Sequence, residues 1–208
     1  MFCHICIPVR RTRYWQCDIE FEIGARYLHG RIVEDEGPQA VSERFGLYDY
    51  PAIVEALEAN GATVVSELRA IGTKAHVYAE VVVDQVKQLI ESGESPDSIT
   101  VVGFSKGGSI AIFASSVLDK PKVNFVFIAA CADWISSAPD LSVSGNILSI
   151  REKSDAMVGS CEKLLPRNDN ASSFTEFEVS TGKEHGAFYL PRAVWVEPLL
   201  AWIKKAKK

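Results

Sequence analysis

Short runs of β-branched and aliphatic residues alternate along most of this chain with longer stretches in which apolar positions recur every three or four residues. That alternation predicts a mostly parallel, twisted sheet with helices on both faces. Residues 19–28 read as the first strand, ending at His29-Gly30. Asp49 and Pro51 start a predicted helix that turns Ile53, Val54 and Leu57 inward and stops at Gly61. Thr63-Val64-Val65 is the next strand, after which Thr73 is placed to cap a long helix. Val77, Val81, Val82, Val86 and Leu89 share one face of that helix, and Gly93 ends it. The turn Ser95-Pro96-Asp97 precedes a strand at 98–102, and Ile110, Phe113, Ala114, Val117 and Leu118 then recur at helical spacing. The apolar run 123–130 reads as a central buried strand, with further strands at 146–150 and 174–179. Val196, Leu199, Leu200 and Ile203 stripe a closing helix, whereas residues 1–17 have no clean period and read as an irregular lead-in or edge strand.

The 208 residues, 47% of them hydrophobic, suit one domain spanning 1–208. A net charge of -5, with basic clusters only at 10–13 and 204–208, argues against nucleic acid as a partner. No apolar run has the length of a membrane span and the first residues lack a signal-peptide pattern, so no membrane partner and a cytoplasmic location are expected. Five cysteines do not pair off completely. Cys3-x-x-Cys6 has no second C-x-x-C to complete a zinc site, so no metal is expected. Cys131 and Cys161 each follow a late strand and are candidates for a disulfide, which would count against a reducing compartment.

Gly103-Phe104-Ser105-Lys106-Gly107 spells G-x-S-x-G between a predicted strand and a predicted helix. There the pentapeptide predicts a tight elbow presenting Ser105 as a nucleophile, with glycines where strand and helix close on each other. A phosphate cradle is the competing use of such glycines. Walker A needs G-x-x-x-x-G-K-[ST], but Lys106 precedes Gly107-Gly108, and no G-x-G-x-x-G follows a strand.

A serine hydroxyl becomes a useful nucleophile when a histidine takes its proton, and that imidazole needs a carboxylate to fix its tautomer. Asp155 follows the strand at 146–150 and His185 the strand at 174–179, so parallel strands would deliver all three to one sheet edge. Asp133, beyond the preceding strand, is the alternative acid. His29 and His76 are weaker candidates for the base, the first lying before the nucleophile and the second near a helix start. The backbone N–H groups of Lys106 and Arg31 are the candidate oxyanion donors, Gly30 allowing close approach. His29, Gly30 and Trp134 are expected at the substrate, and the side chains of Arg31 and Lys106 are placed to favour an acidic one.

Taken together, Leu28-His29-Gly30, Gly103-Phe104-Ser105-Lys106-Gly107, Ser154-Asp155 and Glu184-His185-Gly186 resemble the α/β-hydrolase superfamily over residues 19–208, nearest to its small, lidless bacterial members. The resemblance implies an eight-stranded, mostly parallel sheet and hydrolysis of an ester, thioester or amide through a serine nucleophile. The N-terminal part is too short for two complete leading strands. About fifteen residues separate the strand at 123–130 from that at 146–150, too few for a cap domain, so the crevice should be shallow, with Trp134 as an apolar wall. The expected activity is cofactor-independent hydrolysis of small soluble esters, with a thioesterase or a catalytically silent binding module as alternatives. Oligomeric state is not indicated.

Overall fold

The computed structural model describes residues 24–59, 63–139, 141–167 and 171–206; the expected lead-in, Cys3, Cys6, the first part of the leading strand and Gly61 lie outside them. Strand β1 (Gly24–Leu28) runs through Gly30 into helix α1 (Arg31–Glu36), and a two-stranded hairpin follows, β2 (Val41–Ser42) and β3 (Gly46–Leu47). Next come α2 (Tyr50–Glu58), β4 (Thr63–Val65), α3 (Ala75–Glu91), β5 (Thr100–Phe104) and α4 (Lys106–Leu118). The chain continues as β6 (Asn124–Ile128), α5 (Asp133–Ser136), β7 (Gly145–Glu152), β8 (Ala171–Val179) and α6 (Ala193–Ala206).

Six strands form one sheet in the order β4-β1-β5-β6-β7-β8, and every pairing within it is parallel. A parallel strand cannot turn straight back into its neighbour, so each connection must cross a face of the sheet. Successive side chains therefore feed two cores: Val101, Phe125, Phe127 and Ile147 pack toward α3 and α4, whereas Val102, Val126, Ile128 and Leu148 pack toward α2 and α6. In register, Leu28 lies beside Gly103, Phe104 beside Ile128, Ile128 beside Ile150 and Glu152 beside Val179. The chain segments leaving β1, β5, β7 and β8 consequently emerge along one edge.

The expected eight-stranded sheet has six strands among the described residues, and α1 and the β2–β3 hairpin have no counterpart among the expected elements. Asp49 caps α2 as predicted, its carboxylate accepting from the Ala52 N–H at 3.1 Å. Thr73 does not cap α3; Lys74 holds that position and the Thr73 hydroxyl donates to the Ala70 carbonyl. The buried face of α3 is Ala79, Val82, Val83 and Val86, while Val77 and Val81 are exposed. Consecutive valines at 81–83 leave the face ambiguous in sequence, and small Ala79, fully buried among the residues of the α3–α4 core, helps settle it. Val117 of α4 is exposed for a similar reason: the helix is apolar around most of its surface.

Candidate active site

At the sheet edge Ser105 sits between β5 and α4 at φ 52°, ψ -117°. A non-glycine residue there is strained, and such strain persists only where the surroundings enforce it. Here they do: a Cβ on Gly103 would lie 2.2 Å from the Gly107 carbonyl oxygen, and one on Gly107 would lie 2.0 Å from that of Leu28. The Ser105 N–H donates to the Ile128 carbonyl at 2.9 Å, tying the elbow to β6. Both glycines of the pentapeptide are thus required by close backbone contact, as their positions in sequence suggested.

His185 and Asp155 arrive from the segments after β8 and β7. His185 Nδ1 and Asp155 Oδ2 are 2.6 Å apart, and both residues are buried. Asp155 Oδ1 accepts the Met157 N–H at 2.9 Å, so both carboxylate oxygens are held. With Nδ1–H donating to Asp155, Nε2 of the imidazole is left to accept a proton. The ring packs on Phe104, centroids 4.9 Å apart. Ser105 and His185 line one cleft of about 520 Å³, together with Arg31, Lys106, Trp134 and Met157. Asp133, the alternative acid, is 91% exposed and faces Lys163 at 3.6 Å. It is not joined to the histidine.

Arg31 and Lys106 are the first residues of α1 and α4, where backbone N–H groups have no partner within their own helix. A Cβ on Gly30 would lie 3.0 Å from the Phe104 ring and 3.8 Å from Ser105 Cβ, so this turn runs beside the elbow. His29 is not at the substrate surface as expected. It is fully buried, accepting the Arg69 N–H at Nε2 (3.1 Å) and donating from Nδ1 to the Gly30 carbonyl (2.8 Å). Burial and the neighbouring Arg69 guanidinium push its pKa down to about 4, which keeps it neutral in this tautomer. That carbonyl belongs to the same peptide as the Arg31 N–H, so His29 fixes the orientation of a candidate oxyanion donor from behind.

Of the two charges expected to greet an acidic substrate, Lys106 is held by a buried partner, whereas Arg31 stays exposed at the cleft. Lys106 Nζ pairs with the Glu34 carboxylate, and Arg31 Nε pairs with Asp35 at 3.1 Å. Glu34 also pairs with Arg69 at 2.8 Å, both side chains essentially inaccessible. Glu34 lies in the unforeseen α1 and Arg69 in the loop after β4, so their pairing carried no local signal in the sequence. Trp134 is 61% exposed on the cleft wall, with exposed Ile71 and Met157 at the same opening. Cys131 and Cys161 are joined by a disulfide, Cα atoms 5.3 Å apart, and the Gly159 N–H donates to the Cys131 carbonyl. The segment carrying Trp134 is thereby fastened to the one that follows Asp155.

No family model matches the chain, and no curated protein matches it in sequence. Solved structures do match its fold. SOBER1 of Arabidopsis thaliana aligns with a TM-score of 0.57 at 13% identity over 89% of this chain and 99% of that one. An esterase/lipase from an uncultured bacterium gives 0.62 at 12% over 89% and 77%, and mouse alpha/beta hydrolase domain-containing protein 10 gives 0.57 at 14% over 88% of each. The fold is that of the α/β-hydrolases.

Proposed function

We propose that the protein is a serine hydrolase of small carboxylic esters. The observation that carries this reading is the strained Ser105 elbow opening on the same cleft as a buried His185–Asp155 pair. In the proposed reaction Ser105 Oγ attacks the ester carbonyl while His185 Nε2 takes the hydroxyl proton, and the N–H groups of Arg31 and Lys106 receive the developing oxyanion. The ester C–O bond breaks, the alcohol leaves with the proton from His185, and an acyl-serine remains. Water, deprotonated by the same imidazole, releases the acid and restores Ser105. Asp155 keeps its proton relationship with Nδ1 throughout and stabilises the imidazolium. This chemistry requires no cofactor.

Substrate preference follows from the walls. Trp134, Ile71 and Met157 offer apolar contact at the opening, and α5, four residues long, is the only helix between β6 and β7 among the described residues. A lidless cleft leaves a long acyl chain in water beyond its first carbons, forfeiting about 0.8 kcal/mol for each CH₂ left unburied. Short acyl groups are therefore favoured. The fold shared with SOBER1, with an esterase/lipase and with an alpha/beta hydrolase domain-containing protein supports hydrolysis as the general class. Against the cytoplasmic location expected from the sequence, the Cys131–Cys161 bridge favours an oxidising compartment.

The test is labelling with a fluorophosphonate together with p-nitrophenyl esters and acyl-CoAs of graded length. Covalent labelling at Ser105 with turnover of short esters supports the reading, and preferential turnover of acyl-CoAs would make it a thioesterase. An unlabelled, folded protein would leave a hydrolase-fold binding module and sink the proposed mechanism.

A further inference from the structure

Glu152 is the last residue of β7, 1% exposed, and the proposed reaction gives it no part. A buried carboxylate must be paired or hydrogen-bonded to be tolerated. Its Oε1 accepts from the Ser154 N–H (3.2 Å), the Ser154 hydroxyl (3.0 Å), the Thr181 N–H (3.1 Å) and the Gly182 N–H (3.3 Å). Oε2 accepts from the same Thr181 N–H at 2.9 Å and from the Thr181 hydroxyl at 2.8 Å. These donors are all uncharged, and they belong to two segments. Ser154 immediately precedes Asp155, while Thr181 and Gly182 begin the turn that ends at His185.

A second link runs the same way. The Ser154 hydroxyl, while donating to Glu152, accepts the Glu184 N–H at 3.1 Å. Glu184 has φ 51°, a left-handed conformation that a glutamate adopts only when held there. It directly precedes His185. The carboxylate thus ties the residue before Asp155 to the turn before His185, and the hydroxyl it orients ties that residue to Glu184.

We propose that Glu152 is a positioning residue that sets the Asp155–His185 hydrogen bond, a role that rests on the reading of that pair as acid and base for Ser105. Only an ionised carboxylate accepts all these hydrogen bonds without presenting a proton or an N–H of its own. Burial opposes that charge, but the Thr181 and Ser154 hydrogen bonds outweigh it and hold the carboxyl below its ordinary range. A glutamine here would turn an NH₂ group against two of the donors. The acid and histidine segments would then move apart by a fraction of an ångström while β7 and β8 stayed paired.

The experiment compares the full-length protein with Glu152→Gln and Ser154→Ala by steady-state kinetics, thermal melting and the low-field proton resonance of His185 Nδ1–H. In Glu152→Gln kcat should fall on the order of 10²-fold with KM within about twofold, and the resonance should move upfield or vanish in a folded protein. Ser154→Ala, on an exposed side chain, should show the same pattern at about tenfold. A lower melting temperature with wild-type kcat and an unmoved resonance would reduce Glu152 to a loop stabiliser and overturn the proposal. Should Glu152→Gln fail to fold, an unmoved resonance and wild-type kcat in Ser154→Ala overturn it equally. The resonance reads the pair without turnover, so its shift in a protein that hydrolyses nothing would uphold the positioning role while the hydrolytic reading failed.

Discussion

Glu34 and Glu152 are both buried carboxylates within three residues of a proposed functional group, yet they are satisfied in opposite ways. Glu34, behind Arg31 and Lys106, is met by two cations, Arg69 and Lys106. Glu152, behind Asp155 and His185, is met by neutral N–H and O–H groups from two loops. The Coulomb attraction that the two cations add depends on distance more than on direction, so it suits holding two helix starts and a loop together as a block. Hydrogen bonds from fixed peptide groups are directional, and five donors converging on one carboxylate specify a geometry. Charge and hydrogen-bond direction thus do separate jobs on the two sides of this cleft: on the Glu34 side the demand is cohesion, and on the Glu152 side it is alignment of a pair 2.6 Å apart.

Both sides of the cleft serve Ser105 in the proposed reaction, and the largest expected effect tests that. Ser105→Ala should lower kcat on the order of 10⁴- to 10⁶-fold and abolish fluorophosphonate labelling with the fold intact. Near-wild-type activity would detach the whole cleft from the reaction. Next, Asp155→Asn should cost on the order of 10³- to 10⁴-fold through the wrong histidine tautomer, while Asp133→Asn stays close to wild type because its carboxylate faces solvent and Lys163. The reverse ranking, in steady-state assays, would mean that the observed pair is not the working one.

Cohesion and alignment predict different symptoms. Glu34→Gln leaves the Arg69 guanidinium buried with its charge uncompensated, which should lower stability by about 3–5 kcal/mol in urea unfolding. Its kcat, measured well below the melting temperature, should fall by less than that of Glu152→Gln. A Glu34→Gln protein of normal stability but crippled kcat would show that the two carboxylates do the same job. Lys106→Met should do less than Glu34→Gln, since the Lys106 side chain retains access to water and Arg69 still neutralises Glu34.

Much of this site was legible because it is written in local signals. The elbow needs two glycines around Ser105 in a strand-to-helix setting, and the order of strand ends fixes where Asp155 and His185 emerge. Even the Cys131–Cys161 juxtaposition follows from two adjacent strands ending side by side. What the sequence hid was the tertiary pairing behind the cleft: Glu34 with Arg69 spans 35 residues, and Glu152 with Thr181 spans 29. His29 misled for the same reason. A His-Gly step beside a nucleophile reads as surface, yet its imidazole turns inward because Arg69, distant in sequence, supplies the N–H that it accepts. The short α1 was missed since six residues give barely more than one apolar repeat.

His29 provides the smallest effect and separates the two halves by pH. Its pKa is lowered from near 6.5 to about 4, so between those values the unfolded chain binds a proton that the native state refuses. The stability that His29 contributes is therefore full above about pH 6.5 and is lost as pH falls toward about 4, at no more than about 1.4 kcal/mol per pH unit. Glu152, a carboxyl held below its ordinary value, loses its contribution only in the more acidic range, beneath the usual carboxylate pKa. The Arg31 side of the cleft should thus weaken first on acidification and the Asp155 side later. Urea unfolding from pH 7 to pH 5 isolates the histidine window, and His29→Asn, which keeps an N–H donor near the Gly30 carbonyl but does not titrate, should flatten the slope there. An unchanged slope in that variant would mean that His29 takes up a proton in the native state, and the Gly30–Arg31 peptide would then have lost the neutral imidazole that orients it.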